Sequence, residues 1–344
     1  MVMTLVLFWL FFPKNLLMKK SLLISLVLLF AQASFAQKII EDYTAQQGTL
    51  RYGPGEKDLL PYGDKGFTLV LPDNGQPPAG TVIDLEDYRL SPGDSVRYQE
   101  FRNESLKRGF GFLTIATGIP VDWYFSENSL TYVDAVLKDT FARYHLPRKN
   151  IFFLGVMTSG HRALKYVEYC KKGKSVFNPT IKGVILSECA IDWVRMWYEA
   201  QKQVRDHETA SGIFEGNLVH YLFNEHFKET PATAINKYIE FSPYSYFDLE
   251  MKRPVLYKDL SIRAYTYADI HYWFSAQGKG IYDCNYPDMS GFINEQKLVG
   301  NKKAELIVFH SNLDDPLQQH MRRQSSTWDL IDKKELADWM VGQL

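Results

Sequence analysis

From Phe67 onward, short apolar runs alternate with longer stretches in which apolar residues recur every three or four positions. The runs at 67–72 (FTLVLP) and 80–85 (GTVIDL) flank a Gly- and Pro-rich turn and read as strands. Residues 94–109 open on Asp94 and close on Gly109, the start and stop signals of a helix. Residues 110–117 are a buried strand. In 128–146, Leu130, Val133, Val136, Leu137, Phe141 and Tyr144 share one helical face, and Pro147 ends the segment. The alternation continues with strand 150–155, helix 160–173 and strand 183–188. Strands at 261–268 and 304–309 follow a long helical stretch, and a last helix starts near Asp332.

Strands separated by helices of this length predict an α/β fold: a mostly parallel central sheet with helices on both faces. The stretch 192–249 is too long for a simple crossover. It is expected to form a helical cap over the strand ends, where open α/β sheets bind ligands. Residues 37–344 then make a single domain carrying a cap insertion at about 192–249.

The N-terminus follows another rule. Lys19 and Lys20 precede the apolar run 21–30, and AQASFA ends in small residues. This is the pattern of an export signal cleaved after Ala36, with the true start at Met18. Pro13 and Lys14 split the earlier apolar stretch below the ~20 residues of a spanning helix. No stable membrane anchor is expected after cleavage, and the protein is expected in the periplasm or secreted. Removal of residues 1–36 takes away Lys14, Lys19 and Lys20, leaving 36 basic against 40 acidic residues. That balance gives no footprint for a nucleic-acid partner. Cys170, Cys189 and Cys284 match no metal-ligand spacing and read as core or partly buried thiols. Neither a metal nor a cofactor is expected. Asp314 and Asp315 lie in a turn that matches no calcium loop. KGKS at 172–175 lacks the leading glycines of a phosphate loop.

Three segments carry a resemblance: FLGVMTSGH at 153–161, ADIHYWF at 268–274 and RRQSSTWDLIDKKELADWM at 322–340. Together with the element order, they resemble the α/β-hydrolase superfamily, and within it a group of exported bacterial hydrolase-like proteins. The resemblance implies a nucleophile on a strained strand-to-helix turn, an acid after a later strand and a histidine before the last helix, in that chain order. Mapped onto this chain, it puts the nucleophile at Thr158, the acid at Asp269 and the histidine at Ser326. The backbone N–H of Ser159 would serve the oxyanion.

The expected triad is damaged. Thr158 and Val156 are β-branched where the turn wants an unhindered residue and a small one. A serine hydroxyl at 326 cannot take a proton as an imidazole does. Glu86 and Asp87 fall where an oxyanion donor is expected, and carboxylates there would oppose the developing charge. His320 is the substitute base, with His310 placed too early. Ser159 as a shifted nucleophile would have Met157 and His161 as bulky neighbours. His161 is expected to line the first helical turn or the pocket mouth. The sequence thus predicts a catalytically degraded hydrolase fold that binds a small-molecule or peptide ligand in a cleft under the cap. The alternative is an active ester or peptide hydrolase using Thr158, Asp269 and His320.

Overall fold

The computed structural model describes residues 37–73, 75–90, 92–206, 209–310 and 326–344. The expected signal segment, Asp314, Asp315 and His320 lie outside the described residues. Among the described residues there are ten strands: β1 (Gln37–Ala45), β2 (Thr49–Arg51), β3 (Leu59–Pro61), β4 (Asp64–Pro72), β5 (Gly80–Glu86), β6 (Phe110–Ala116), β7 (Ile151–Val156), β8 (Ile181–Ser187), β9 (Ser261–Tyr267) and β10 (Ala304–Phe309). Eight of them form one sheet in the order β1-β4-β6-β5-β7-β8-β9-β10. In this sheet β4 pairs antiparallel with β1 and β6, and the other pairings are parallel; β2 and β3 form a separate antiparallel pair.

The parallel strands read as continuous apolar runs because both faces are covered. On one face, α1 (Pro92–Lys107) packs beside the C-terminal α9 (Thr327–Leu330) and α10 (Lys333–Gly342). Tyr98, Phe101, Trp328, Leu336 and Met340 meet Val70, Val82, Phe112, Phe152 and Leu154 there. The other face carries α2 (Glu127–Arg143), α3 (Thr158–Lys171) and α8 (Tyr286–Leu298). Leu137, Phe141, Leu164, Val167 and Phe292 meet Ile83, Leu113, Phe153, Val184 and Ile262 on that side. The crossovers on either side of β6 thus lie on opposite faces, and β5 sits between β6 and β7. The C-terminal ends of β5 and β7 therefore flank a crevice, the position at which such sheets bind ligands.

Between β8 and β9, the expected cap segment holds α4 (Trp193–Arg205), α5 (Ala210–Phe227) and α6 (Pro231–Phe241); α7 (Ile270–Gln277) follows β9. The cap has its own apolar cluster, built on Trp193, Trp197, Leu218, Phe223, Tyr238 and Phe241. Trp123 and Phe125, from the loop after β6, and Leu50 and Leu60, from the β2–β3 hairpin, complete it. The cap is tied to the body by Arg195 on α4. Its guanidinium pairs with both Asp288 oxygens at the start of α8, one of them at 3.0 Å, and with Glu199 at 2.6 Å. Asp288 also accepts the N–H groups of Ile191 and Asp192, so one carboxylate fixes the entry to the cap.

Candidate active site

The turn between β7 and α3 is one residue earlier than the sequence suggested. Met157, not Thr158, stands at its tip, with φ 54° and ψ −116°. That is a sparsely populated region for a residue with a Cβ. Thr158 is the first residue of α3 and is exposed. The motif is therefore framed as Gly155-Val156-Met157-Thr158-Ser159, with small residues on both sides of the tip. An added Cβ at Gly155 would lie 2.3 Å from the Gly160 Cα, so strand and helix pass too closely there for any side chain. At Gly160 the obstacle would be the Cys189 Sγ, at 2.2 Å.

The N–H following the tip accordingly belongs to Thr158 rather than Ser159. Ser159 is buried, and its hydroxyl turns back on the strand. It accepts from the Val156 N–H at 2.7 Å and donates to the Val156 carbonyl at 3.1 Å. It closes the turn and does not face the tip.

The other expected members take local roles. Ser326 is the N-cap of α9. Its hydroxyl and its N–H both donate to Asp329 Oδ2, at 3.1 and 2.9 Å. Asp269 follows β9, directly precedes α7 and is buried; Tyr267 donates its phenol proton to Asp269 Oδ2 at 3.2 Å. Among the described residues, the hydrogen bonds of histidine ring nitrogens go to Trp123, Trp193 and Trp197, and none to Thr158. His310 is exposed.

His161 is fully buried rather than at a pocket mouth. The Trp193 indole can only donate, and it reaches His161 Nδ1 at 2.8 Å. Nε2 must then carry the proton, which it gives to the Trp123 carbonyl at 2.8 Å. Burial, with Lys165 and Arg162 close by, holds its pKa well below the usual histidine value. The neutral ring is a staple between α3, the cap and the loop after β6.

Glu86 and Asp87 do not confront the tip either. The buried Arg162 donates to Glu86 Oε2 at 2.9 Å and to the Leu85 carbonyl at 2.6 Å. Burial works against its charge, but Asp87 and Glu86 outweigh that and raise its pKa. Asp87 accepts from the N–H groups of Tyr88 and Val121. Asp84, on β5, is fully buried near Arg162 and Ser159. Burial pushes its pKa up to about 7, against the downward pull of Arg162.

Sequence reasoning missed Glu188. It follows β8 with φ 50°, next to Ser187, whose carbonyl accepts the Met157 N–H at 2.9 Å. Its carboxylate accepts from Thr327 Oγ1 at 2.7 Å, the Tyr267 N–H at 2.9 Å and Thr266 Oγ1 at 3.1 Å. It thus gathers the ends of β8 and β9 and the start of α9 beside the turn. Burial raises its pKa, opposed by these donors. The signal for it was a lone acid closing a buried apolar strand, followed by Cys189-Ala190.

This arrangement has solved counterparts. The structure is similar to a hormone-sensitive lipase from a metagenome library, with a TM-score of 0.52 and 11% identity over 92% of this chain and 90% of that one. It is also similar to a hyperthermophilic esterase from the archaeon Pyrobaculum calidifontis, with a TM-score of 0.51 and 11% identity over 89% and 85%. The chain has the α/β-hydrolase fold. Carboxyl esterase 2 from Tuber melanosporum aligns over 88% of this chain and 86% of its own at a TM-score of 0.50 and 11% identity. No family model and no curated protein matches the sequence. On this α/β-hydrolase fold, no group of three His, Cys, Asp or Glu side chains among the described residues is arranged to hold a metal ion. No helix among them is long and apolar enough to cross a membrane. A cavity of about 400 Å³ opens between α3, the start of α2 and the cap helices α5 and α6. Phe125, Phe227, Phe241 and Lys165 line it. Lys165 lies 5.2 Å over the Phe241 ring, and burial pulls its amine down to about 8.

Proposed function

We propose that this is an exported α/β-hydrolase-fold protein that has given up acyl transfer and holds a ligand in the cleft under its cap. One observation carries the reading: the tip of the strained turn bears the thioether of Met157. A thioether has no proton for a base to remove and cannot serve as the activated nucleophile of acyl transfer. The hydroxyls on either side give no substitute of the right geometry. Ser159 is bonded into the turn, and Thr158 sits on the helix with no recorded histidine contact. Ser326, in the loop where the fold offers a base, caps a helix. Losing the nucleophile or the histidine of such a triad costs on the order of 10⁶ in rate. The Lys165 cavity supports the ligand reading: Phe125, Phe227 and Phe241 give it an aromatic wall, and Lys165, Lys237 and Glu240 are among the charged groups that could orient what it holds. Export is supported by the pattern of residues 18–36.

The test is hydrolysis of a panel of short- and medium-chain aryl esters and aminoacyl anilides by the wild type and by Thr158→Ala. Both proteins are expected at the uncatalysed rate. Turnover by the wild type that Thr158→Ala abolishes would overturn the proposal. It would favour a threonine hydrolase served by Asp269 and His320.

A further inference from the structure

A second cavity, of about 680 Å³, lies on the α1 side of the sheet. β1, β4 and β6 form its floor, and the loop after β5 forms its rim. Two arginines line it, and they differ in one respect. Arg89 is paired, at 2.8 Å from Glu41 and 3.7 Å from Asp64, and it lies 4.7 Å over the Tyr43 ring. Arg102, on α1, has no recorded ion pair or hydrogen bond among the described residues, and its Nε is buried without a partner. Burial alone lowers its pKa, with no carboxylate acting against it. A half-buried guanidinium whose Nε is shielded from water and unpaired gains when an anion meets it.

The opposite wall has the complementary polarity. Tyr43 and Thr68 share a hydrogen bond at 3.0 Å, and Thr68 Oγ1 donates onward to Glu41 Oε1 at 3.3 Å. With its proton committed to Glu41, Thr68 takes its bond from the Tyr43 phenol. Both hydroxyl protons then run towards Glu41, and lone pairs remain to accept from a ligand. The cavity therefore offers a fork of donors at Arg102 and acceptors across from it. Its fixed charges, Arg89 and Arg102 against Glu41 and Asp64, cancel. Glu41 and Asp64 already hold Arg89, so Arg102 can meet a single negative charge, while the two carboxylates disfavour a dianion.

We propose that this cavity is a binding site for a hydroxylated monocarboxylate of sugar-acid size. Its carboxylate is held by Arg102, and its hydroxyl groups are read by Tyr43 and Thr68. Tyr88 lines the rim and is part-exposed. The site is separate from the turn at Met157 and does not depend on whether that turn is catalytic.

The test is calorimetric titration of the purified protein with D-glucuronate, D-glucose, acetate and inorganic phosphate. Glucuronate is expected to bind with a Kd of roughly millimolar or tighter. Glucose, which lacks the charge, and acetate, which lacks the hydroxyls, should each bind at least ~10-fold more weakly. Arg102→Met should weaken glucuronate by about 10- to 100-fold, the range expected for charge-assisted bonds. Arg102→Lys should restore part of the loss. Thr68→Val, on the far wall, should weaken glucuronate and leave acetate unchanged. No glucuronate binding at about 20 mM, or equal affinity in Arg102→Met, would overturn the proposal. So would phosphate or glucose binding as tightly as glucuronate.

Discussion

Replacing Met157 by glycine should stabilise the fold relative to alanine at the same site. Met157 combines φ 54° with ψ −116°, a conformation that costs a residue bearing a Cβ on the order of 1–3 kcal/mol. Glycine releases that strain but loses more backbone freedom on folding, at about 0.5–1 kcal/mol relative to alanine. The Met157 side chain is 49% exposed, and both variants delete it, so its packing contribution cancels in the comparison. The difference is roughly 0.5–2 kcal/mol in favour of glycine. Urea unfolding followed by tryptophan fluorescence, with equal slopes for the two variants, would measure it as a shift in midpoint. Thr158→Gly serves as the control. Thr158 has helical backbone geometry, so glycine there should lose stability against Thr158→Ala. The reasoning is refuted if alanine matches or exceeds glycine at 157. If glycine gains at 158 instead, the tip belongs to Thr158 and the framing of the motif is wrong.

Two other side chains under the turn give sharper readouts of its electrostatics. Arg162→Met strands Glu86 beside the buried end of β5 and should cost about 3–5 kcal/mol; Arg162→Met with Glu86→Gln should recover part of it, measured as a double-mutant cycle in urea. Asp84 has its folded pKa raised to about 7, above the ordinary carboxylate value, so the folded state binds the proton more tightly and its stabilising effect fades as pH rises. Asp84→Asn should therefore gain on the wild type between about pH 4 and 7 and hold a constant advantage above that, read from urea midpoints at successive pH values. A difference that does not change with pH would mean that Asp84 keeps its charge throughout.

The parallel strands were legible because burial on both faces leaves an unbroken apolar run, and β10 at 304–309 was expected at the bounds it takes. β1 was not, because it is an edge strand with mostly exposed side chains and no two-residue alternation. The turn was visible as a turn, but its register was ambiguous in the letters alone. Both Val156-x-Thr158-x-Gly160 and Gly155-x-Met157-x-Ser159 fit the spacing, and the hydroxyl of Thr158 favoured the wrong one. Only the backbone separates them, with Met157 at φ 54° and Thr158 already on the helix. Arg162, His161 and Glu188 read as ordinary polar residues. Their roles come from partners distant in sequence: Glu86, Trp123, Trp193 and Thr327.

Glu188 also bears on how the chain is made. It meets Thr327 across a separation of 139 residues, and its other side-chain partners lie 78 and 79 residues ahead of it. At ~5–20 residues per second of synthesis, Thr327 follows Glu188 by on the order of 10 s. Through that interval the carboxylate destined for burial lacks the hydroxyl that completes its shell, so it stays hydrated and β8 cannot be sealed at that end. The turn at Met157, hydrogen-bonded to the neighbouring Ser187, is thus finished by a segment made well over a hundred residues after it. A protein released short of α9 would carry the whole sheet and lack the lock beside the Met157 turn.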